Sequence, residues 1–231
     1  MTRPPAAPAF SVGVVILAAG RSARMGRPKL LLPWGETAGV RSAECGVRSS
    51  RFSLPSGKTS VLGHLVQQWR TLRAKQITLV CAPGDQAIQA ELDRLGFAEK
   101  DRIINPTPER GMFSSIQCAA QWQGWEPALT HWALVLGDQP HLRPRTLRQV
   151  LDFSVSQPTK VCQPARRGHG RHPVILPRTV FRQLADSTAV TLKAFLAAKG
   201  RQVAICESDD PGLELDIDRP EDYEAARKMM G

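Results

Sequence analysis

The sequence predicts a single α/β domain built on a mostly parallel sheet, and three observations carry that expectation. The chain has 231 residues, 42% hydrophobic and 23% charged, an ordinary globular composition at a length that suits one large domain when domains run to about 150 residues. Short apolar runs rich in β-branched residues recur without polar alternation, the pattern of strands covered on both faces. Amphipathic stretches of helical length separate most of them. Regular strand and helix alternation specifies an open, doubly wound sheet with helices on both faces, and ligands then sit in the crevice beyond the carboxyl ends of the strands.

Taken in order, residues 12–17 (Val-Gly-Val-Val-Ile-Leu) form the first strand, bounded by Ala18-Ala19-Gly20. Further strands are expected over 76–81, 103–105, 131–136, 160–163 and 202–206, and helices over 61–72, 85–95, 114–122, 145–153, 190–198 and 220–230. The last helix opens with Pro220 at its first position, where a missing N–H costs nothing, after Asp218 as a possible cap. Residues 1–11, with Pro4, Pro5 and Pro8, read as a flexible tail before a domain spanning 12–231. Residues 38–58 break the rhythm: serine-rich, basic, with Gly-Val-Arg-Ser at 39–42 and again at 46–49. They read as a disordered surface insertion, too poor in apolar surface to offset the cost of ordering; a basic docking arm is the alternative.

The charge balance is 31 Lys plus Arg against 21 acids, net +10, which favours polyanionic partners. Nucleic acid is disfavoured, because aromatic residues are only 6% and no stacking motif occurs. No apolar run approaches the roughly 18 residues of a membrane-spanning helix. Proline occupies the N-terminal stretch where an export signal needs an apolar core, so a cytoplasmic location is expected. Cys45, Cys81, Cys118, Cys162 and Cys206 lie far apart and form no C-x-x-C pair, so they read as reduced core thiols. His169 and His172 lack acid or thiol partners at zinc-ligand spacing, and no G-x-S-x-G elbow supports hydrolase chemistry.

The most informative stretch is Leu17-Ala18-Ala19-Gly20-Arg21-Ser22-Ala23-Arg24-Met25-Gly26-Arg27-Pro28-Lys29, directly after the first strand. Small residues let backbone amides approach a polyanion, and Arg24 and Lys29 can neutralise phosphate oxygens. A second is Leu134-Val135-Leu136-Gly137-Asp138-Gln139-Pro140, a strand ending in an acid at the sheet's carboxyl edge. Asp138 there can hold Mg²⁺ against phosphate oxygens, or cap the next turn. The third is Asp216-Ile217-Asp218-Arg219-Pro220-Glu221-Asp222-Tyr223. Two acids at i and i+2 in an extended segment point to one side, so either could join Asp138 on the metal; Asp218 could instead cap the final helix.

The first loop resembles the nucleotidyltransferase motif L-A-[AG]-G-x-S-x-R-M-G-x-x-K, a family holding molybdenum cofactor cytidylyl- and guanylyltransferases and sugar-phosphate nucleotidyltransferases, and every fixed position matches. The resemblance extends through G-D-x-P at 137–140, D-I-D-x-P-E-D at 216–222, where Arg219 replaces the usual Thr, and Asn105 with Gly111-Met112-x-Ser114-Ser115-Ile116. It implies a three-layer α/β/α Rossmann-like nucleotidyltransferase fold. It implies that Leu17, Ala18, Ala19, Gly20, Ser22, Arg24 and Lys29 wrap a nucleoside triphosphate, with Gly111, Ser114 and Ser115 at ribose or base, although a serine there also suits a helix cap. Asp138 and Asp218 correspond to the metal positions, with Asp216 in reserve. Arg171, His172 and Pro173 fall in a segment resembling the family's G-x-P-V stretch beside the acceptor.

The implied reaction is Mg²⁺-dependent nucleotidyl transfer with Arg24, Lys29 and Asp138 as the catalytic groups. The L-A-A-G loop resembles the cytidylyltransferases most, which implies CTP and molybdopterin as substrates; the net charge of +10 suits a phosphorylated acceptor and docking to an acidic client, a molybdoenzyme, as a partner. The alternatives are transfer to another phosphorylated acceptor, such as a sugar or polyol phosphate, and a non-catalytic nucleotide- or cofactor-binding chaperone.

Overall fold

The computed structural model describes residues 9–20, 23–36 and 58–230. Ten strands form: β1 (Val12–Leu17), β2 (Pro33–Glu36), β3 (Lys58–Ser60), β4 (Gln76–Cys81), β5 (Arg102–Ile104), β6 (His131–Leu136), β7 (Val161–Arg166), β8 (His169–Gly170), β9 (Val174–Pro177) and β10 (Val203–Glu207). Seven α-helices join them: α1 (Val61–Thr71), α2 (Gln86–Arg94), α3 (Met112–Gln121), α4 (Pro144–Ser156), α5 (Arg178–Gln183), α6 (Leu192–Lys199) and α7 (Pro220–Lys228).

Eight strands make the central sheet in the order β10-β7-β9-β6-β1-β4-β5, with β8 paired to β7. β1 lies parallel to both β4 and β6, and β4 to β5. Chain order therefore reverses beside β1, the place where a doubly wound sheet opens a crevice. β1 alternates its faces: Val14 and Ile16 enter one core with α1, α2, α4 and α7, while Val15 enters the other with α3, α5 and α6. The result is a single domain of three layers, α/β/α.

Every expected strand and helix forms, β1, β4 and β6 with the expected bounds and the others with shifted ends. Five elements were not foreseen: the short strands β2, β3 and β8, β9, which runs antiparallel between β6 and β7, and the six-residue α5. Of the expected flexible tail at 1–11, residues 1–8 lie outside the described residues, and Phe10 and Ser11 pack against the domain. Ser11 N–H donates to Thr130 Oγ1 at 2.9 Å, and the Phe10 ring lies 4.6 Å from that of His131. Residues 37–57, nearly all of the expected insertion, lie outside the described residues. Its last residue, Lys58, belongs to a strand, and β2 pairs β3 through Pro33↔Ser60, Trp34↔Thr59 and Glu36↔Lys58. Trp34, 1% exposed, anchors this ribbon edge-on against Tyr223 of α7.

Among the described residues, no helix is long and apolar enough to cross a membrane. Cys81, Cys118, Cys162 and Cys206 are free thiols. Burial pushes the Cys81 thiol up to about 12, which leaves it a core group without nucleophilic character. Cys45 lies outside the described residues.

Candidate active site

β1 and β6 end in register, Leu17 opposite Leu136, so the chain leaves both strands side by side. A Cβ on Gly137 would meet Leu17 O at 2.9 Å and Leu30 Cδ2 at 2.8 Å, so the absence of a side chain there lets the two strand ends touch. That contact brings Asp138 against the first loop. A cleft of about 270 Å³ opens above, walled by Leu17, Ala18, Ala19, Gly20 and Lys29 on one side, Gly137 and Asp138 below, and Pro108, Gly111, Met112 and Ser115 on the other. The crevice thus lies where the strand order reverses.

Four charges converge at its edge. Lys29 Nζ lies 2.7 Å from Asp138 Oδ2 and 3.5 Å from Asp218 Oδ1, and an Arg24 guanidinium nitrogen lies 2.8 Å from Asp218 Oδ2. Lys29 and Asp138 are mostly shielded, with side chains 16% and 20% exposed. Asp138 holds Asp218 near through the backbone, since Ile217 N–H donates to Asp138 O at 3.1 Å. The segment before Ile217 is fastened by Asp210, 1% exposed, whose carboxylate accepts from Gly212 N–H at 3.0 Å, Arg143 N–H at 3.1 Å and the Thr146 hydroxyl at 2.7 Å.

Asp216 and Asp218 do not share partners as their spacing suggested. Asp216 Oδ1 accepts from Gln139 Nε2 at 2.8 Å. Its carboxyl is held above the usual range by desolvation and by the negative charges of Asp138 and Asp218, although the residue itself stays open to solvent. Nor does Asp218 cap α7. Asp222 Oδ2 accepts from the Asp218 and Arg219 amides at 3.1 and 2.8 Å, which frees the Asp218 carboxylate for the two cations.

The opposite wall is set by Asn105, fully buried. Its Nδ2 donates to the Ser114 and Ser115 hydroxyls at 2.8 and 2.9 Å, and its Oδ1 accepts from Thr107 N–H at 2.9 Å. Ser114 then donates to Gly111 O at 2.7 Å, so it serves the start of α3 and does not line the cleft. Ser115 and Gly111 do line it, and Gly111 has φ 89°, a left-handed conformation glycine adopts without strain. Ser22 lies outside the described residues.

A second cavity, about 610 Å³, adjoins the first and includes Arg171 and His172 in its lining; Pro173 is buried behind them. His172 Nδ1 lies 3.2 Å from Leu134 O; a carbonyl only accepts, so Nδ1 carries the hydrogen and neutral His172 leaves Nε2 unprotonated. Burial lowers its pKa, against the opposing pull of the Leu134 bond and of Asp138 and Asp216. Sequence reasoning gave no role to Met112 and Lys193, which line this cavity, nor to buried Asn105, quoted only as part of a motif, and passed over Asp210. Met112 stood inside a quoted motif; Lys193 carried no local signal.

Asp138 Oδ1 is buried without a hydrogen-bond partner, while Oδ2 already faces a cation. Among the described residues no set of three or more His, Cys, Asp or Glu side chains is placed to hold a metal ion alone. The donors at hand are two hard carboxylates, one of which, Asp138, carries the orphaned oxygen. They fit a hard divalent cation that takes its remaining oxygens from phosphate and water.

A doubly wound sheet whose switch-point crevice carries a basic loop and strand-end acids defines the class of nucleotide-binding α/β enzymes. Residues 14–203 match the MobA-like NTP transferase domain, and the chain belongs to that family; it is a nucleotidyltransferase. No curated protein matches it significantly. Among solved structures, it is similar to Rv0371c from Mycobacterium tuberculosis H37Rv, at 26% identity over 95% of this chain and 98% of that one, TM-score 0.65, and to the manganese complex of Rv0371c, at 25% identity over 95% and 99%, TM-score 0.62. It shares its fold with molybdopterin-guanine dinucleotide biosynthesis protein A from Archaeoglobus fulgidus, at 14% identity over 94% and 97%, TM-score 0.60.

Proposed function

We propose that the protein transfers CMP from CTP to molybdopterin with release of pyrophosphate, using Mg²⁺. The observation that carries the reading is the convergence of Lys29, Arg24, Asp138 and Asp218 at the edge of the cleft that the first loop walls. Main-chain amides of Ala19 and Gly20 and the Lys29 ammonium bind the triphosphate, Ala18 lines the cleft with its own N–H held by Val80 O, and Arg24 supplies further positive charge at the mouth. Gly111 and Ser115 border the ribose and base. Asp138 and Asp218 would hold the divalent metal, which would supply positive charge to offset that which builds up on the leaving pyrophosphate.

A phosphate oxygen of the acceptor attacks the α-phosphorus as the bond to pyrophosphate breaks in line. The chain's contribution is alignment and charge compensation, so no side chain needs to become covalently attached. Neutral His172, fixed through Nδ1, borders the acceptor with its free Nε2, and Arg171 supplies charge for a phosphorylated molecule. The L-A-A-G loop supports cytidine over guanosine. The manganese bound by Rv0371c supports a divalent ion at these carboxylates.

The test is anaerobic pyrophosphate release with molybdopterin and Mg²⁺, comparing CTP, GTP and ATP. The expected result is turnover with CTP that disappears on chelation. Turnover with GTP alone would reassign the base, and turnover only with a sugar or polyol phosphate would reassign the acceptor.

A further inference from the structure

We propose that Arg171 and Lys193 select the acceptor by holding a second negatively charged or electron-rich group, on the part of the molecule away from the reacting phosphate. The inference rests on the nucleotidyl-transfer reading. The reacting phosphate must come within about 3–3.5 Å of the α-phosphorus, in the cleft walled by the first loop, Lys29 and Asp138. None of those residues lines the second cavity, and of the residues walling the two, only Met112, 46% exposed, is shared. Whatever fills the larger cavity is therefore a different part of the acceptor, continuing past Met112.

The charge there is one-sided. Arg171, Lys193 and His169 line the cavity, Leu196 and Val203 form part of an apolar wall, and no acid is present in its lining. Neither Arg171 nor Lys193 has an ion pair among the described residues: Glu214 feels the Arg171 charge but is paired with Arg166, and Arg171 Nε is buried without a hydrogen-bond partner. Other cations of the site are matched: Arg166 lies 2.7 Å from Glu214, and Lys29 lies 2.7 Å from Asp138. The first turn of α6, which carries Lys193, also borders this space through Thr191 and Leu192. A buried, unmatched guanidinium N–H discriminates strongly between a ligand that satisfies it and one that cannot. An apolar wall with cations on one side suits a flat body carrying a charged edge. Molybdopterin, whose ene-dithiolate is separate from its phosphate, meets that description; a polyol phosphate, neutral beyond its phosphate, does not.

The experiment measures steady-state kinetics of the full chain with CTP and Mg²⁺, with either molybdopterin or methylerythritol phosphate as acceptor. Calorimetry of CTP binding with Mn²⁺ runs in parallel. Lys193 is exposed, so its substitution spares the core. Lys193→Glu is expected to raise KM for molybdopterin at least tenfold, with kcat within threefold and the CTP Kd unchanged, and Lys193→Arg to restore KM. Active molybdopterin turnover with an unchanged KM in Lys193→Glu overturns the proposal alone. Wild-type protein that binds CTP but turns over only methylerythritol phosphate overturns the proposal and the molybdopterin reading together.

Discussion

Lys29 stands between two carboxylates, 2.7 Å from Asp138 and 3.5 Å from Asp218, so on the proposed function its ammonium stands where the divalent ion would bind. Metal and triphosphate should therefore help each other bind: phosphate oxygens draw Lys29 off the acids, and a metal on the acids releases Lys29 to the phosphates. Lys29→Met is expected to tighten Mn²⁺ binding to nucleotide-free protein while weakening CTP at least tenfold, both read by calorimetry. Unchanged Mn²⁺ affinity would show that the lysine does not compete. Asp138→Asn keeps the shape and removes the charge, and should lower kcat a hundredfold or more, about 2.7 kcal/mol of barrier. At this scale the sequence was most legible where charged residues sit in a long motif, as Arg24, Lys29, Asp138 and Asp218 do. Asp216 could not be told from Asp218 by spacing, because the Gln139 hydrogen bond that separates them comes from another strand end. Asp210 and Asn105 passed unremarked as functional supports, since their partners lie in other segments.

Among the elements, α3 depends on Asn105 for the placement of its first turn. Asn105→Ala would leave the buried Ser115 hydroxyl and the Thr107 amide without their partner and take from Ser114 the donor it accepts from, at about 1–3 kcal/mol. The expected result is a lower Tm with a larger rise in KM for CTP than fall in kcat, since Gly111 and Ser115 shift while the acids stay. The β2–β3 ribbon makes a different prediction. Pairing of Glu36 with Lys58 already brings the ends of segment 37–57 together, so an Asn-Gly turn could join them. Replacing 37–57 in this way should leave turnover within tenfold, about 1.4 kcal/mol; a greater loss would mean that the segment serves the cleft. Long, periodic helices and buried strands were legible from pattern. β9 was not, because its four residues lie just after Pro173 and end on Pro177, and α5 is too short to show a period.

Across the whole molecule, burial lowers the pKa of four of the five histidines, His64, His131, His141 and His172, each partly offset by a backbone hydrogen bond. The folded state thus holds these protons less tightly than the unfolded chain does. Their contribution to stability is complete above the unfolded value of 6.5 and is lost as the pH falls through the lowered folded values, at no more than about 1.4 kcal/mol per histidine per pH unit. Asp216, shifted upward, works in the opposite sense over a more acidic range. Thermal melting should therefore show a clear drop in Tm from pH 7.5 to 5.5, and a flat profile would contradict the burial of these rings. Fold class was legible because it follows from alternation along the chain. The acceptor cavity was only partly so: Arg171 and His172 stood in a motif, whereas Lys193 reaches it through the packing of α6 against the sheet.

The central claim is that this cleft moves a nucleotidyl group, and the most direct measurement follows label from CTP carrying ³²P at the α-position, with Mg²⁺ and molybdopterin under anaerobic conditions. Label is expected in the acceptor product with wild-type protein, and none with Asp138→Asn or with chelator. Folded wild-type protein that binds CTP but leaves all the label in the nucleotide, or an Asp138→Asn variant that transfers it as fast as wild type, would contradict it.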